Sequence, residues 1–221
     1  MPVLKFYSWS YAAGGCGLIA MVLAEKQIPF ELVLVDMAKG DHKTPEYVAK
    51  HPFGQVPMID DDGFILYESR AICRYLAEKY ADRGTPLIPT SLPAKALFEQ
   101  AASIEFANFH PLVGKIMLEA IYKMHNNLPP DEAVLTQAKS DLAAKLDVYE
   151  VILSTQNYLG GNEFTLADLF HLAFAPSLAQ QGHNIMADRG PNVTRWWNDV
   201  SSRPSWVKLQ ADGIPGIKST M

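Results

Sequence analysis

Apolar positions in the first third of the chain switch between two periods. Val3-Leu4-Lys5-Phe6-Tyr7 alternates as a half-buried strand does, whereas Leu18 to Lys26 is apolar almost without a break and reads as a largely buried helix. Phe30–Val35 is again strand-like. Pro45–Lys50 is a short helix with proline at its first position, which costs no hydrogen bond there. Val56, Met58 and Ile59 begin another strand, Asp60-Asp61-Asp62-Gly63 turns, Phe64–Tyr67 returns, and Glu68 opens a helix to Tyr80. The predicted order is β-α-β-α-β-β-α: a parallel unit followed by a hairpin.

The character changes after Ala81. Three prolines and a glycine between Asp82 and Pro93 are linker chemistry, and no convincing strand follows. Ala94–Leu128 reads as one helix bent around Pro111, and Glu132–Ser154 as a second with apolar residues at helical spacing. Thr165-Leu166-Ala167-Asp168 is a capping start before the Leu169–Phe174 apolar run, and further helices lie near Asn192–Ser202 and Pro204–Gln210. The expected fold is an α/β domain over 1–82, a linker over 83–93 and an all-helical domain over 94–221.

Composition narrows the function classes. A net charge of −5 with no basic run argues against nucleic acid as a partner. No apolar segment is long enough to span a bilayer, and the start lacks a leader pattern. Cys16 and Cys73 are the only cysteines, so no disulfide framework is expected; the chain reads as cytoplasmic. Six histidines form no i, i+3 or i+4 pair, and no metal site is expected. Gly15-Cys16-Gly17-Leu18-Ile19-Ala20 matches a dinucleotide fingerprint, but seven residues separate Tyr7 from Gly15, so the glycines do not stand in the first turn after the strand.

The most informative chemistry is in His51-Pro52-Phe53-Gly54-Gln55-Val56-Pro57 and Glu68-Ser69-Arg70-Ala71-Ile72. Pro57 cannot donate to a ladder, so it belongs at a strand start or special turn, where an X-Pro bond can be cis and leave the Val56 backbone free to pair with a peptide. The helix start at Glu68-Ser69 offers unpaired N–H groups to an anion, although simple capping is the local alternative.

These segments, with Leu23-Ala24-Glu25-Lys26, His42-Lys43, Phe164–Leu169 and Pro191–Trp197, resemble the glutathione transferases, most closely the phi-like group. The resemblance implies a thioredoxin-like N-terminal domain, an all-α C-terminal domain, a homodimer, and glutathione as co-substrate with no prosthetic group. Glu68 would take the γ-glutamyl ammonium and Ser69 its carboxylate. Val56, held by Pro57, would pair with the cysteinyl backbone, and Gln55, Lys43 and His42 would meet the glycyl end. It also implies a second site for apolar or aromatic acceptors, between the domains and lined by Trp9, Tyr11, Phe109, His110, Val113 and Met117, the last four from a helix with apolar residues at one spacing.

One departure stands out. Phi-like members place a serine after the first strand to donate to the glutathione sulfur, and here Ala13 takes that position in Ser8-Trp9-Ser10-Tyr11-Ala12-Ala13-Gly14-Gly15-Cys16-Gly17. Backbone N–H groups at Ala13, Gly14 or Gly15 could stabilise the thiolate instead, or the hydroxyl of Ser10 or Tyr11. Two other readings stay open: a weakly catalytic binder (ligandin) of aromatic or apolar compounds, and a Cys16-dependent glutathione thiol reductase.

Overall fold

The computed structural model describes residues 3–216. The first of two compact units reaches to Leu87 and takes in the chain again from Arg203; the second runs from Ile88 to Ser202.

In the first unit, β1 (Leu4–Ser8), β2 (Phe30–Leu34), β3 (Met58–Asp61) and β4 (Phe64–Tyr67) form one sheet in the order β2-β1-β3-β4. β1 pairs parallel with β2 and antiparallel with β3, and β3 and β4 form the expected hairpin. Its two-residue loop, Asp62-Gly63, has positive φ at both positions, the backbone that short hairpins require. The parallel connection carries α1 (Gly14–Glu25), and α2 (Pro45–Lys50) and α3 (Ser69–Lys79) follow in order. Leu18, Ile19, Met21, Val22 and Leu23 of α1 are all buried, which is why that segment shows no amphipathic stripe.

The second unit is helical: α4 (Leu92–Ile104), α5 (His110–Met117), α6 (Lys123–His125), α7 (Glu132–Leu153), α8 (Leu166–Leu169), α9 (Ala175–Gln180) and α10 (Pro191–Ser201). The single helix expected over 94–128 is instead divided by two π-helical turns, Glu105–Phe109 and Leu118–Tyr122, on either side of α5. A π turn inserts one residue without breaking the helical path, so apolar periodicity alone does not reveal it. Asp168 is a structural cap, as its motif suggested. Buried completely, it accepts from the Leu159 and Thr165 N–H groups at 3.0 Å and from the Trp196 indole at 2.9 Å, inside the Thr165 capping box.

The helical domain expected over 94–221 ends earlier than that range. α11 (Pro204–Asp212) packs on α1 within the first unit. The physical cause is Glu25, at the end of α1. Its buried carboxylate takes the Arg203 guanidinium at 2.8 and 2.9 Å and the hydroxyls of Ser205 and Thr85. Among the described residues no helix is long and apolar enough to cross a membrane.

Candidate functional site

The first unit gathers three separate stretches of sequence at one place. The loop after β1 ends in Ala13, which precedes α1 in extended conformation and caps no N–H with its side chain. The next residues, Gly14 and Gly15, form the first turn of α1. The first intrahelical bond there is Gly17 N–H to Ala13 C=O at 3.2 Å, and the first turn holds no acidic residue, so its early N–H groups lack a side-chain partner. Gly15 lies against Pro57 and Ser69: a Cβ on Gly15 would sit 3.0 Å from the proline Cδ and 3.2 Å from the serine Oγ. Glycine is thus required by close approach, and the donors of α1 sit beside the two motifs singled out from sequence.

The Val56–Pro57 bond is cis. Val56 lies just before β3, so sheet pairing uses neither its N–H nor its C=O. Glu68 precedes α3 with φ of +71°, a region that non-glycine residues adopt at a cost, and no side chain caps that helix. Capping therefore does not account for the Glu68-Ser69 pair. Glu68 is exposed, and Ser69 is the first residue of α3, where backbone N–H groups are open to an anion.

Lys43 and Gln55 are joined through a local scaffold. Lys43 Nζ donates to the Phe53 carbonyl at 3.1 Å, and the Tyr47 hydroxyl donates to the Gln55 carbonyl at 2.7 Å. Gly54, at φ +56°, passes so close beneath that a Cβ would meet the His42 carbonyl at 2.6 Å. His42 is half-buried, and its Nδ1 has no hydrogen-bond partner among the described residues. Gln55 stays exposed. Behind them His51 is buried, stacked on Tyr67 at 4.3 Å between ring centroids. Burial pushes its imidazole below the ordinary histidine range; Glu68 pulls it up and Lys43 pushes it further down. Sequence reasoning missed Tyr47 and His51 as supports. Tyr47 had a visible signal, since it is the large aromatic of α2, but its hydroxyl partner is a backbone atom eight residues on.

The candidate thiol-activating side chains are less well placed for that role. Tyr11 is 54% exposed, its ring edge-on to Trp9 at 5.1 Å, and Ser10 is exposed too. Cys16 is 2% exposed, and burial pushes its thiol above the usual range, outweighing hydrogen bonds from Ser8 and Trp9 that act the other way. A reactive cysteine needs the opposite shift and an open sulfur. Of the residues expected to line an acceptor face, Phe109, Val113 and Met117 are buried, and Phe109 packs on His171 at 4.5 Å. They supply core to the helical unit: helical spacing marks an apolar face without saying which side of it is covered. His110 is half-buried and stacked on the exposed Phe106 at 6.1 Å.

Comparison with known proteins assigns the chain. The family profile described as "Glutathione S-transferase, N-terminal domain" matches residues 18–79, and "Glutathione S-transferase, C-terminal domain" matches residues 109–204. Glutathione S-transferase hmp2 of Hypomyces subiculosus is 41% identical over 213 residues, covering 95% of this chain and 99% of that protein. The crystal structure of glutathione transferase F2 from Populus trichocarpa superposes with a TM-score of 0.89 at 38% identity, covering 96% of this chain and 100% of the other. Maize glutathione S-transferase I, solved with an atrazine glutathione conjugate, gives 0.87 at 28% identity, covering 97% and 100%. The chain belongs to the glutathione transferase family, in its phi-like group.

Proposed function

We propose that this protein conjugates glutathione to apolar electrophiles and that backbone N–H groups at Ala13, Gly14 and Gly15 stabilise the thiolate. The observation that carries this reading is the approach of Gly15 to Pro57 and Ser69, which sets the uncapped first turn of α1 beside the peptide-pairing and anion-binding elements. Ser69 and the α3 start receive the γ-glutamyl carboxylate, and Glu68 its ammonium. Val56 pairs with the cysteinyl unit, and Lys43, Gln55 and His42 face the glycyl end. Hydrogen bonds from the α1 N–H groups and the positive end of its dipole favour S⁻ over SH. The thiol proton passes to solvent; the sulfur lone pair forms a bond to the electrophilic carbon, and the leaving group departs with its bonding electrons.

The edge-on pair of Trp9 and Tyr11 in the loop after β1 suits an apolar acceptor, in line with the atrazine glutathione conjugate with which the maize relative was solved. A homodimer in the cytoplasm completes the reading. A second reading, a ligand-binding protein with little turnover, draws on one observation: Ala13 provides no hydroxyl at the loop.

Conjugation of a chlorinated dinitroaromatic and reduction of a glutathione mixed disulfide, assayed for wild type, Ser10→Ala, Tyr11→Phe and Cys16→Ser, tests these readings. Backbone activation leaves conjugation in all three variants within a few-fold of wild type. Loss in Ser10→Ala or Tyr11→Phe with glutathione binding intact would assign the donor to that hydroxyl. A wild type that binds immobilised glutathione but is inert in both assays is a binder. Disulfide reduction that vanishes in Cys16→Ser alone would establish the thiol reductase.

A further inference from the structure

The helical unit holds a polar cavity whose lining shares no residue with the glutathione-holding set. Its volume is about 190 Å³, and it lies between α7 and the loop that follows α9. Leu142 and Ile185 give it an apolar floor, both buried. Lys139, His183 and Arg189 line the rest. Lys139 Nζ lies 3.0 Å from His183 Nδ1, so the ammonium donates to a neutral imidazole whose proton is on Nε2. Among the described residues, Arg189 Nε is buried without a hydrogen-bond partner. Two cations and an imidazole thus line one small space, and no carboxylate lines it. The acidic group that acts on His183 is the exposed Glu132 of α7, and its pull is weaker than burial and Lys139, which together hold the imidazole below its ordinary range. Nor does the neighbouring helix end explain the arrangement. The first N–H groups of α10, at Asn192 and Val193, are already taken by the Glu150 carboxylate at 3.1 and 2.9 Å.

An unpaired buried guanidinium N–H that shares a small cavity with an ammonium is unfavourable until an acceptor with negative charge fills the space. We propose that this cavity is a binding site for a small tetrahedral oxyanion, phosphate or sulfate, free or as the terminal group of a small ester. The planar guanidinium edge fits two oxygens of such a group and Lys139 a third, while the volume is too small for a nucleotide.

The test follows the His183 ring by NMR while the full-length protein is titrated with sodium sulfate at constant ionic strength set by chloride. Sulfate stays dianionic across the histidine range, so any pH dependence belongs to the protein. A saturable shift is expected, with a rise in the His183 titration midpoint, because the bound anion favours the imidazolium against Lys139. Arg189→Gln weakens binding about tenfold or more and Arg189→Lys recovers part of it, the loss expected for a charge-assisted bond. Lys139→Met gives an independent loss should Arg189→Gln fail to fold, and conjugation activity is unaffected in each. Parallel titrations with inorganic phosphate and glycerol 3-phosphate separate a closed ion site from one that admits an ester. Linear, non-saturating shifts, or equal binding by wild type and both charge-removing variants, would overturn the assignment.

Discussion

Gly15 approaches Pro57 so closely that a single added methyl would lie 3.0 Å from the proline Cδ, with the Ser69 Cβ at the same distance. Neither neighbour can retreat cheaply: Pro57 is a buried ring and Ser69 is anchored in α3. Gly15→Ala should therefore push apart the two elements that hold glutathione while leaving the fold in place. We expect the KM for glutathione to rise about tenfold, equivalent to about 1.4 kcal/mol, with kcat less affected. An unchanged KM would separate this junction from the binding site.

Ser69 offers a cleaner division between binding and stability. Because α3 has no side-chain cap, Ser69→Ala removes no capping bond, and its cost to unfolding stability should stay within about 0.5 kcal/mol. Its cost to glutathione affinity should be larger, since a hydrogen bond to a charged group contributes about 1.5–3 kcal/mol, or roughly ten- to a hundredfold in Kd. Lys43→Met should weaken binding by a similar factor, most of it lost at high salt. Calorimetric titration with glutathione, paired with urea unfolding, measures both effects in one preparation.

Local patterns made most of the first unit legible. Period-two alternation identified β1, the Asp62-Gly63 turn identified the hairpin, and the proline before Met58 marked a special strand start. What stayed hidden depends on partners far apart in sequence. Glu25 and Arg203 each read as an ordinary charge; only the fold brings them together across 178 positions and draws α11 onto α1. The buried or open state of Phe109, Val113 and Met117 was equally invisible, because spacing defines a face and not what covers it. The Ala13 substitution was visible at once, but its meaning required the position of Gly15, which no local pattern specifies.

The Glu25–Arg203 pair should matter for stability in a pH-dependent way. Burial pushes the Glu25 carboxyl up, but the hydrogen bonds from Arg203, Ser205 and Thr85 outweigh it and hold the group below its ordinary value of 4.5. A depressed carboxylate contributes stability that is full above that value and is lost as pH falls through the lower folded one. Arg203→Met leaves a nearly buried carboxylate without its counter-ion. The expected loss is about 2–3 kcal/mol, below the usual cost of breaking a fully buried pair, because the Arg203 side chain keeps 21% of its exposure. In that variant the acid limb of stability should also flatten, since the guanidinium that holds the Glu25 carboxyl down against burial is gone. Urea unfolding from pH 3 to pH 7 decides the matter, and parallel curves for the two proteins would show that the pair is not the source.

His51 should add a second decline on the acid side of the pH profile, closer to neutrality. The ring lies 2% exposed between Tyr67 and Tyr47, and its Nδ1 has no hydrogen-bond partner, so the folded protein resists protonating it. Its folded pKa is lowered, chiefly by burial, while the unfolded chain titrates near the ordinary value of 6.5. Below that value the unfolded state binds the proton more readily, so stability is full above it and falls as pH drops toward the folded pKa, at no more than about 1.4 kcal/mol per pH unit. His51→Phe keeps an aromatic ring in the stack and removes the titration. Its stability should fall less steeply than that of wild type from pH 7 to pH 5; the remaining slope includes His183, whose imidazole is shifted in the same direction, and the difference between the two proteins isolates His51. Chemical unfolding at pH 7, 6 and 5 gives the comparison, and a decline as steep in His51→Phe as in wild type would assign the acid sensitivity to another group.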